Sequence, residues 1–333
     1  MNDVQQTVAV IGGGSWATAN VKILSEKNIK IKWWLRDEDA VKQIQTFGRN
    51  PKYLSDVKID TDKVSVTTHL SETVAGADYL ILMVPAAFIR QALHGLTSQD
   101  FAYKTIVSGI KGMIPEQNLL VTDWISRTFQ IPEENICAIA GPCHAEEVAL
   151  EKQSYLTIAS KNIHTASDFA ELMTCRYIKA SATQDMYGVE FCAVMKNIIA
   201  IACGITHGLG YGDNFQAVLV SNAMQEIQHF VDTLFPYYRN MSGSAYLGDL
   251  LVTSYSQFSR NRMFGNMIGR GYSVKAAQME MNMIAEGYYA VKSIHELNIL
   301  YRMEMPIVSA VYKILYESLP ARKEIQKLKE LLK

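Results

Sequence analysis

The adjacent polar pair Lys196-Asn197 interrupts the run Phe191 to Ile205, which is apolar on every other helical face. A helix of that composition belongs in a protein interior. Taking an ammonium group out of water costs several kcal/mol unless a partner compensates it, so the sequence must supply either a route to solvent or a buried carboxylate. Snorkelling from the end of a core helix is one reading. The other is a general acid/base, and Asp249, in Leu247-Gly248-Asp249-Leu250-Leu251-Val252-Thr253, is the carboxylate that could hold such a lysine. Asp249 and Thr253 are four apart and share one face if that segment is helical.

Two further groups stand where a ligand could bind. Lys111, between Gly109 and Gly112 just past the apolar run Thr105–Ser108, would lie at the carboxyl end of a strand, where ligands bind in open α/β sheets. Ser259-Arg260-Asn261-Arg262 reads as a cap opening a helix, where backbone N–H groups and a guanidinium could hold a phosphate, or where a helix simply begins in solvent. A reaction that builds negative charge on an oxygen needs a proton donor near positive charge. Lys196 can donate while Lys111 and Asn197 polarise. The seven histidines show no metal-ligand spacing, and no metal is expected.

The elements that must position these groups begin with Thr7–Ile11, a β-branched run leading into Gly12-Gly13-Gly14-Ser15-Trp16-Ala17. This Gly-x-Gly-x-x-Ala turn sits between a strand and a helix expected to reach Ser25. It suits a dinucleotide: Gly12 for the turn, Gly14 for close approach of a diphosphate, and Ser15 and Trp16 at the helix start. After the next strand, Ile29–Leu35, comes Arg36-Asp37. Arg36 favours the 2′-phosphate of NADP(H), while Asp37 keeps NAD(H) open. Ala77–Val84 is a buried strand stopped by Pro85, which should lie along the nicotinamide half. Ile136–Ala140 ends at Gly141-Pro142-Cys143-His144-Ala145, where Cys143 and His144 are expected to line a pocket, since adjacent side chains rarely face each other.

Strands alternate with helices through about Ala180, with further runs at Val64–Val66, Leu156–Ala159 and Tyr177–Ala180. Met- and Ala-rich helical patterns replace them after Thr183. The expected fold is α/β: a Rossmann-like doubly wound parallel sheet over 1–183, followed by an all-α domain over 184–333. Gly204 to Asn214 is dense in glycine and reads as a break after the opening helix, either a tight turn near a ligand or one between helices. Lys and Arg total 32 against 33 Asp and Glu, so no bulk field calls for nucleic acid or an anionic membrane. Five cysteines, an odd number without a Cys-x-x-Cys pair, suit reduced thiols in a cytoplasmic protein. No basic leader or spanning segment is indicated.

Taken together and in order, Gly12 to Ala19, Lys111-Gly112, Gly141-Pro142, Val194-Met195-Lys196-Asn197, Leu247 to Leu250, Ser259 to Arg262 and Glu286-Gly287-Tyr288 resemble the bacterial NAD(P)-dependent glycerol-3-phosphate dehydrogenases over nearly the full length. The resemblance implies reversible reduction of dihydroxyacetone phosphate to sn-glycerol 3-phosphate, a phospholipid precursor. It implies Lys196 as proton donor and acceptor, and a substrate site lined by Lys111, Gly141, Cys143, Asn197, Asp249, Thr253, Ser259, Arg260 and Asn261. Lys111, Ala145, Arg260, Ile284 and Glu286 would lie near the cofactor, and a homodimer is left open. Ala17 for a third glycine, Ala86 after Val84-Pro85 and Cys143-His144 depart from the commoner pattern. A Rossmann dehydrogenase of 3-hydroxy acids, or a redox-sensing nucleotide-binding protein, stands as the alternative.

Overall fold

A computed structural model of the chain describes residues 5–281 and 285–333, and forms two compact units. One comprises the chain up to Ile110 together with Val121–Met186. The other comprises Lys111–Leu120 and Tyr187–Lys333.

The first unit is built on strands β1 (Thr7–Ile11), β2 (Lys30–Trp34), β3 (Val64–Thr67), β4 (Tyr79–Leu82) and β5 (Thr105–Ser108), which match the β-branched apolar runs. The hairpin β6 (Met113–Ile114) and β7 (Leu119–Leu120) belongs to the second unit, and β8 (Ile136–Ala140), β9 (Ser154–Ala159) and β10 (Ile178–Thr183) complete the first. The eight-stranded order is β10-β9-β8-β5-β4-β1-β2-β3. From β3 to β8 every pairing is parallel, the arrangement of a Rossmann sheet with its reversal of strand order beside β1.

The expectation of a parallel sheet fails at one place. β8 and β9 pair antiparallel, with Ile139 opposite Ile158, and β10 then runs parallel to β9. The five-residue Ala145–Ala149 helix is the only helix between β8 and β9, so the chain turns back here instead of making a full helical crossover.

Local chemistry explains the ends of the elements. Asp37 accepts from the Asp39 and Ala40 N–H groups to open the Glu38–Phe47 helix, and Gly48, with φ +65°, closes it in the left-handed region. Asn162 caps the Ile163–Met173 helix in the same way. The core of this unit packs Val8, Val10, Ile31, Trp33, Ile81 and Val107 of the sheet against Val21 and Leu24 of the Ser15–Ser25 helix and Phe169.

Among the described residues, the second unit is helical apart from its hairpin. The Met186–Gly208 helix is long and apolar enough by composition to cross a membrane, but its apolar stretch is buried inside the protein. Val194, Ile198, Ile201 and Ile205 pack against Leu219, Phe230, Phe264, Val291 and Val308. The expected break between helices lies within 204–214 but starts later than Gly204: the helix continues through Gly208, and the turn occupies 209–212 before the next helix begins at Asp213. Those two glycines have a packing role described below.

Candidate active site

In the first unit, the glycine turn is held from behind. Gly12 has φ +136°, and a Cβ there would lie 2.5 Å from the Met83 carbonyl oxygen, so only glycine fits. The Trp33 indole N–H donates to the Gly12 carbonyl at 2.6 Å. The buried Asn50 amide donates to the Gly13 carbonyl at 3.0 Å and to Thr18 Oγ1 at 2.9 Å. Neither Trp33 nor Asn50 was expected in the site, and no local pattern marks residues that support a turn from another element.

Space remains over the turn itself. A Cβ on Gly14 would meet nothing within 4 Å, and no side chain caps the 11-residue Ser15–Ser25 helix that follows. An open approach onto an uncapped helix start fits a diphosphate, which would accept from the first-turn N–H groups. Ser15 is buried there. Arg36, just past β2, is exposed. Its neighbour Asp37 is spent on the helix cap and on a salt bridge with Lys52, and that Lys52 contact, first among the causes, holds the Asp37 carboxyl below its ordinary range.

Pro85 follows β4 and opens the turn Ala86–Phe88. Past β8, Gly141 has φ +118°, and a Cβ there would lie 2.5 Å from the Tyr155 carbonyl oxygen. Cys143 is buried, and its thiol donates to the Gly141 carbonyl at 3.1 Å, so it shapes this turn. His144 occupies the position before the short helix that Ala145 begins, with no side-chain cap bond.

In the second unit, the residues expected for chemistry converge. Lys196 is 5% exposed and Asp249 1% exposed. The Lys196 ammonium forms a short ion pair with Asp249 Oδ1, and the Lys111 ammonium lies 3.4 Å from Oδ2. One carboxylate therefore serves two cations. Asn197 donates from its side chain to the Lys111 carbonyl at 2.8 Å, fixing the start of the Lys111–Leu120 segment against the Lys196 helix.

Asp249 owes its position to a π-helical turn. Ser244–Gly248 is wound as a π turn and passes into the Asp249–Tyr255 helix, where the Thr253 hydroxyl donates to the Asp249 carbonyl at 2.7 Å. Single π turns of this kind frequently occur at functional sites, because they re-aim one side chain. The expected Asp249–Thr253 face is present.

Ser259 caps the Arg260–Gly269 helix by accepting from the Arg262 N–H at 3.3 Å, as its sequence indicates. Arg260 is exposed at the first helical position, and Asn261 is buried. The Asn261 side-chain oxygen accepts the Gly287 N–H at 3.0 Å, which ties this helix to the start of the Glu286–Tyr301 helix. Glu286 is half-buried there. Ile284 lies outside the described residues. No group of three or more potential metal ligands occurs among the described residues.

Residues 7–166 match the N-terminal model of NAD-dependent glycerol-3-phosphate dehydrogenases, and residues 185–326 match the C-terminal model. A Bacillus velezensis protein named glycerol-3-phosphate dehydrogenase [NAD(P)+] is 34% identical, covering 98% of this chain and 97% of its own. One of the same name from an Exiguobacterium species is 35% identical over 96% and 94%. The crystal structure of glycerol-3-phosphate dehydrogenase from Coxiella burnetii superposes with a TM-score of 0.90 at 29% identity, covering 98% of this chain and 99% of that one.

Proposed function

The chain belongs to the NAD-dependent glycerol-3-phosphate dehydrogenase family, and from that membership we propose the part each of its residues plays in the reaction. It is an NAD(P)-dependent oxidoreductase that interconverts dihydroxyacetone phosphate and sn-glycerol 3-phosphate. In our reading, Gly12, Gly14, Ser15 and Trp16 hold the diphosphate of the dinucleotide at the start of the Ser15–Ser25 helix. Bound NAD(P)H supplies the hydride.

Lys196 gives the proton that the developing alkoxide at C2 requires, and takes it back in the oxidative direction. The ion pair with Asp249 holds the ammonium in one place and offsets the cost of its burial. Lys111 adds a second positive charge on the same carboxylate, so a negatively charged oxygen entering the cluster finds two donors already oriented. Asn197 orients Lys111 through the Lys111 carbonyl. The cap at Ser259, with Arg260 and Asn261, takes the substrate phosphate. Thr253 steadies Asp249, and Glu286 stands at the start of its own helix; in the first unit, Pro85 shapes the turn past β4, while Gly141, Cys143 and Ala145 shape the turn past β8.

The observation that carries this reading is the sharing of one buried carboxylate by Lys111 and Lys196, an arrangement that a purely structural lysine would not need. Cofactor oxidation with dihydroxyacetone phosphate, compared with a 2-methyl-3-oxo acid semialdehyde, tests it. Turnover of the semialdehyde in preference to the phosphate ester would overturn the substrate assignment, and cofactor binding without turnover of either would overturn catalysis.

The commitment of Asp37 to a helix cap and to Lys52 favours NADP(H), because the acid that would accept from a ribose hydroxyl is already occupied while Arg36 stays exposed. A cytoplasmic location and a homodimer complete the proposal. The exposed run Ile299-Leu300-Tyr301 is an apolar surface that a second copy could cover, and sedimentation equilibrium tests it.

A further inference from the structure

Two helices of the second unit carry the proposed substrate contacts, Met186–Gly208 with Lys196 and Asn197 and Arg260–Gly269 with Arg260 and Asn261, and a third, Glu286–Tyr301, is tied to them at its start. They touch backbone to backbone. A Cβ on Gly204 would lie 2.1 Å from the Arg262 carbonyl oxygen, and one on Gly208 would lie 2.4 Å from that of Asn266. In return, a Cβ on Gly265 would lie 2.1 Å from the Ile201 carbonyl oxygen, and one on Gly269 would lie 2.2 Å from that of Ile205.

Each helix thus presents two glycines four residues apart to the carbonyls of the other, the spacing that lets helix backbones approach most closely. The third helix joins in the same way. A Cβ on Gly287 would lie 2.6 Å from the Asn197 carbonyl oxygen and 2.9 Å from Asn261 Oδ1, the atom that accepts the Gly287 N–H. Every blocking atom at the four crossing positions is backbone, so no rotamer change can relieve a clash there. The helices themselves would have to part.

We propose that the Gly204–Gly208 and Gly265–Gly269 crossing is a positioning device for this reaction, setting the distance between the proton donor Lys196 and the phosphate contacts Arg260 and Asn261. The inference rests on the functional reading above. A ketone and a phosphate in one small substrate stand at a fixed separation, so the two groups that receive them must stand at a fixed separation too. Side-chain packing tolerates shifts that a backbone-to-backbone crossing forbids. A contact at 2.1 Å must open to at least 3.0 Å, so one methyl group at Gly265 moves the Arg260 helix by about 1 Å. A displacement of that size can cost about 10²-fold in rate.

The test compares dihydroxyacetone phosphate with dihydroxyacetone, which reacts at the same carbonyl but has no phosphate to place. In the wild type the ratio of the two kcat/KM values should strongly favour the phosphate ester. A wild-type ratio near one would sink the phosphate assignment itself, separately from the crossing. In Gly265→Ala the ratio should fall by about 10- to 100-fold, mainly through KM for the ester, with dihydroxyacetone turnover little changed. Gly212→Ala serves as control, since a Cβ there meets nothing within 4 Å, and should keep the wild-type ratio.

Should Gly265→Ala fail to give a folded protein, Gly208→Ala carries the same comparison, because its nearest contact is longer and lies at a helix end. An unchanged ratio in a folded variant overturns the proposal. So does an equal fall on both substrates, which would make the crossing a matter of stability alone.

Discussion

Lys196 and Asp249, 53 residues apart in sequence, form an ion pair inside a helical core where each is almost wholly removed from water. Each charge offsets the cost of burying the other. Replacing the lysine by methionine removes the proton donor yet leaves Asp249 paired with Lys111, so Lys196→Met should fold normally. Its kcat for ketone reduction should fall by about 10²–10⁴-fold. Turnover close to wild type in a protein with an unchanged circular dichroism spectrum would remove the lysine from its assigned role.

Asp249→Asn acts differently. It removes the charge of the carboxylate that Lys111 and Lys196 share, so stability should fall by about 3–5 kcal/mol, the cost of breaking a buried pair. Chemical denaturation with urea measures this. A loss below about 1 kcal/mol, in the range of an exposed pair, would mean that the cluster is open to water.

The adenosine end gives a separate handle. Arg36→Ala should lower the ratio of NADPH to NADH efficiency by about tenfold, the worth of one charge-assisted contact, with KM for dihydroxyacetone phosphate unaltered. An unchanged cofactor ratio would show that the guanidinium does not read the 2′-phosphate.

Asn50 tests the support of the glycine turn. Its amide spans the Gly13 carbonyl and Thr18, so Asn50→Ala leaves the part-buried Gly13 carbonyl without this donor, at a cost of about 1–3 kcal/mol. KM for the dinucleotide should rise several-fold, while KM for the ketone stays within error. Equal effects on both would assign Asn50 to general stability.

Glu226 predicts a pH dependence of folding. Burial pushes its carboxyl up to about 7, although it accepts the Ile307 and Val308 N–H groups at 2.9 Å each. The folded state therefore holds a proton that the unfolded chain releases near 4.5. This group's contribution is largest below 4.5, declines as pH rises towards 7 and is flat beyond, for a total of about 3 kcal/mol. In Glu226→Gln the slope of stability between pH 4.5 and 7 should become less negative. A slope that matches the wild type would place the titration elsewhere.

Much of this molecule was open to inspection in its linear order, because strands, caps and turns are set by residues within a few positions of each other. β1, the Gly12–Gly14 turn and the helix ending at Ser25 follow from β-branched residues running into glycine and then into helix formers. The Ser259 cap and the Asp249–Thr253 face follow from spacing, and the burial of Lys196 follows from its apolar surroundings. Tertiary structure alone decided that Lys111 and Lys196 share Asp249, since the Lys111–Asp249 pair spans 138 positions and no local periodicity encodes such a contact. It also decided the reversal of β9, which depends on how the chain returns to the sheet edge, and the meaning of Gly204 and Gly208. In sequence those glycines look like a break. They are instead the places where a second helix lies too close for any side chain, a property of two segments together that neither carries by itself.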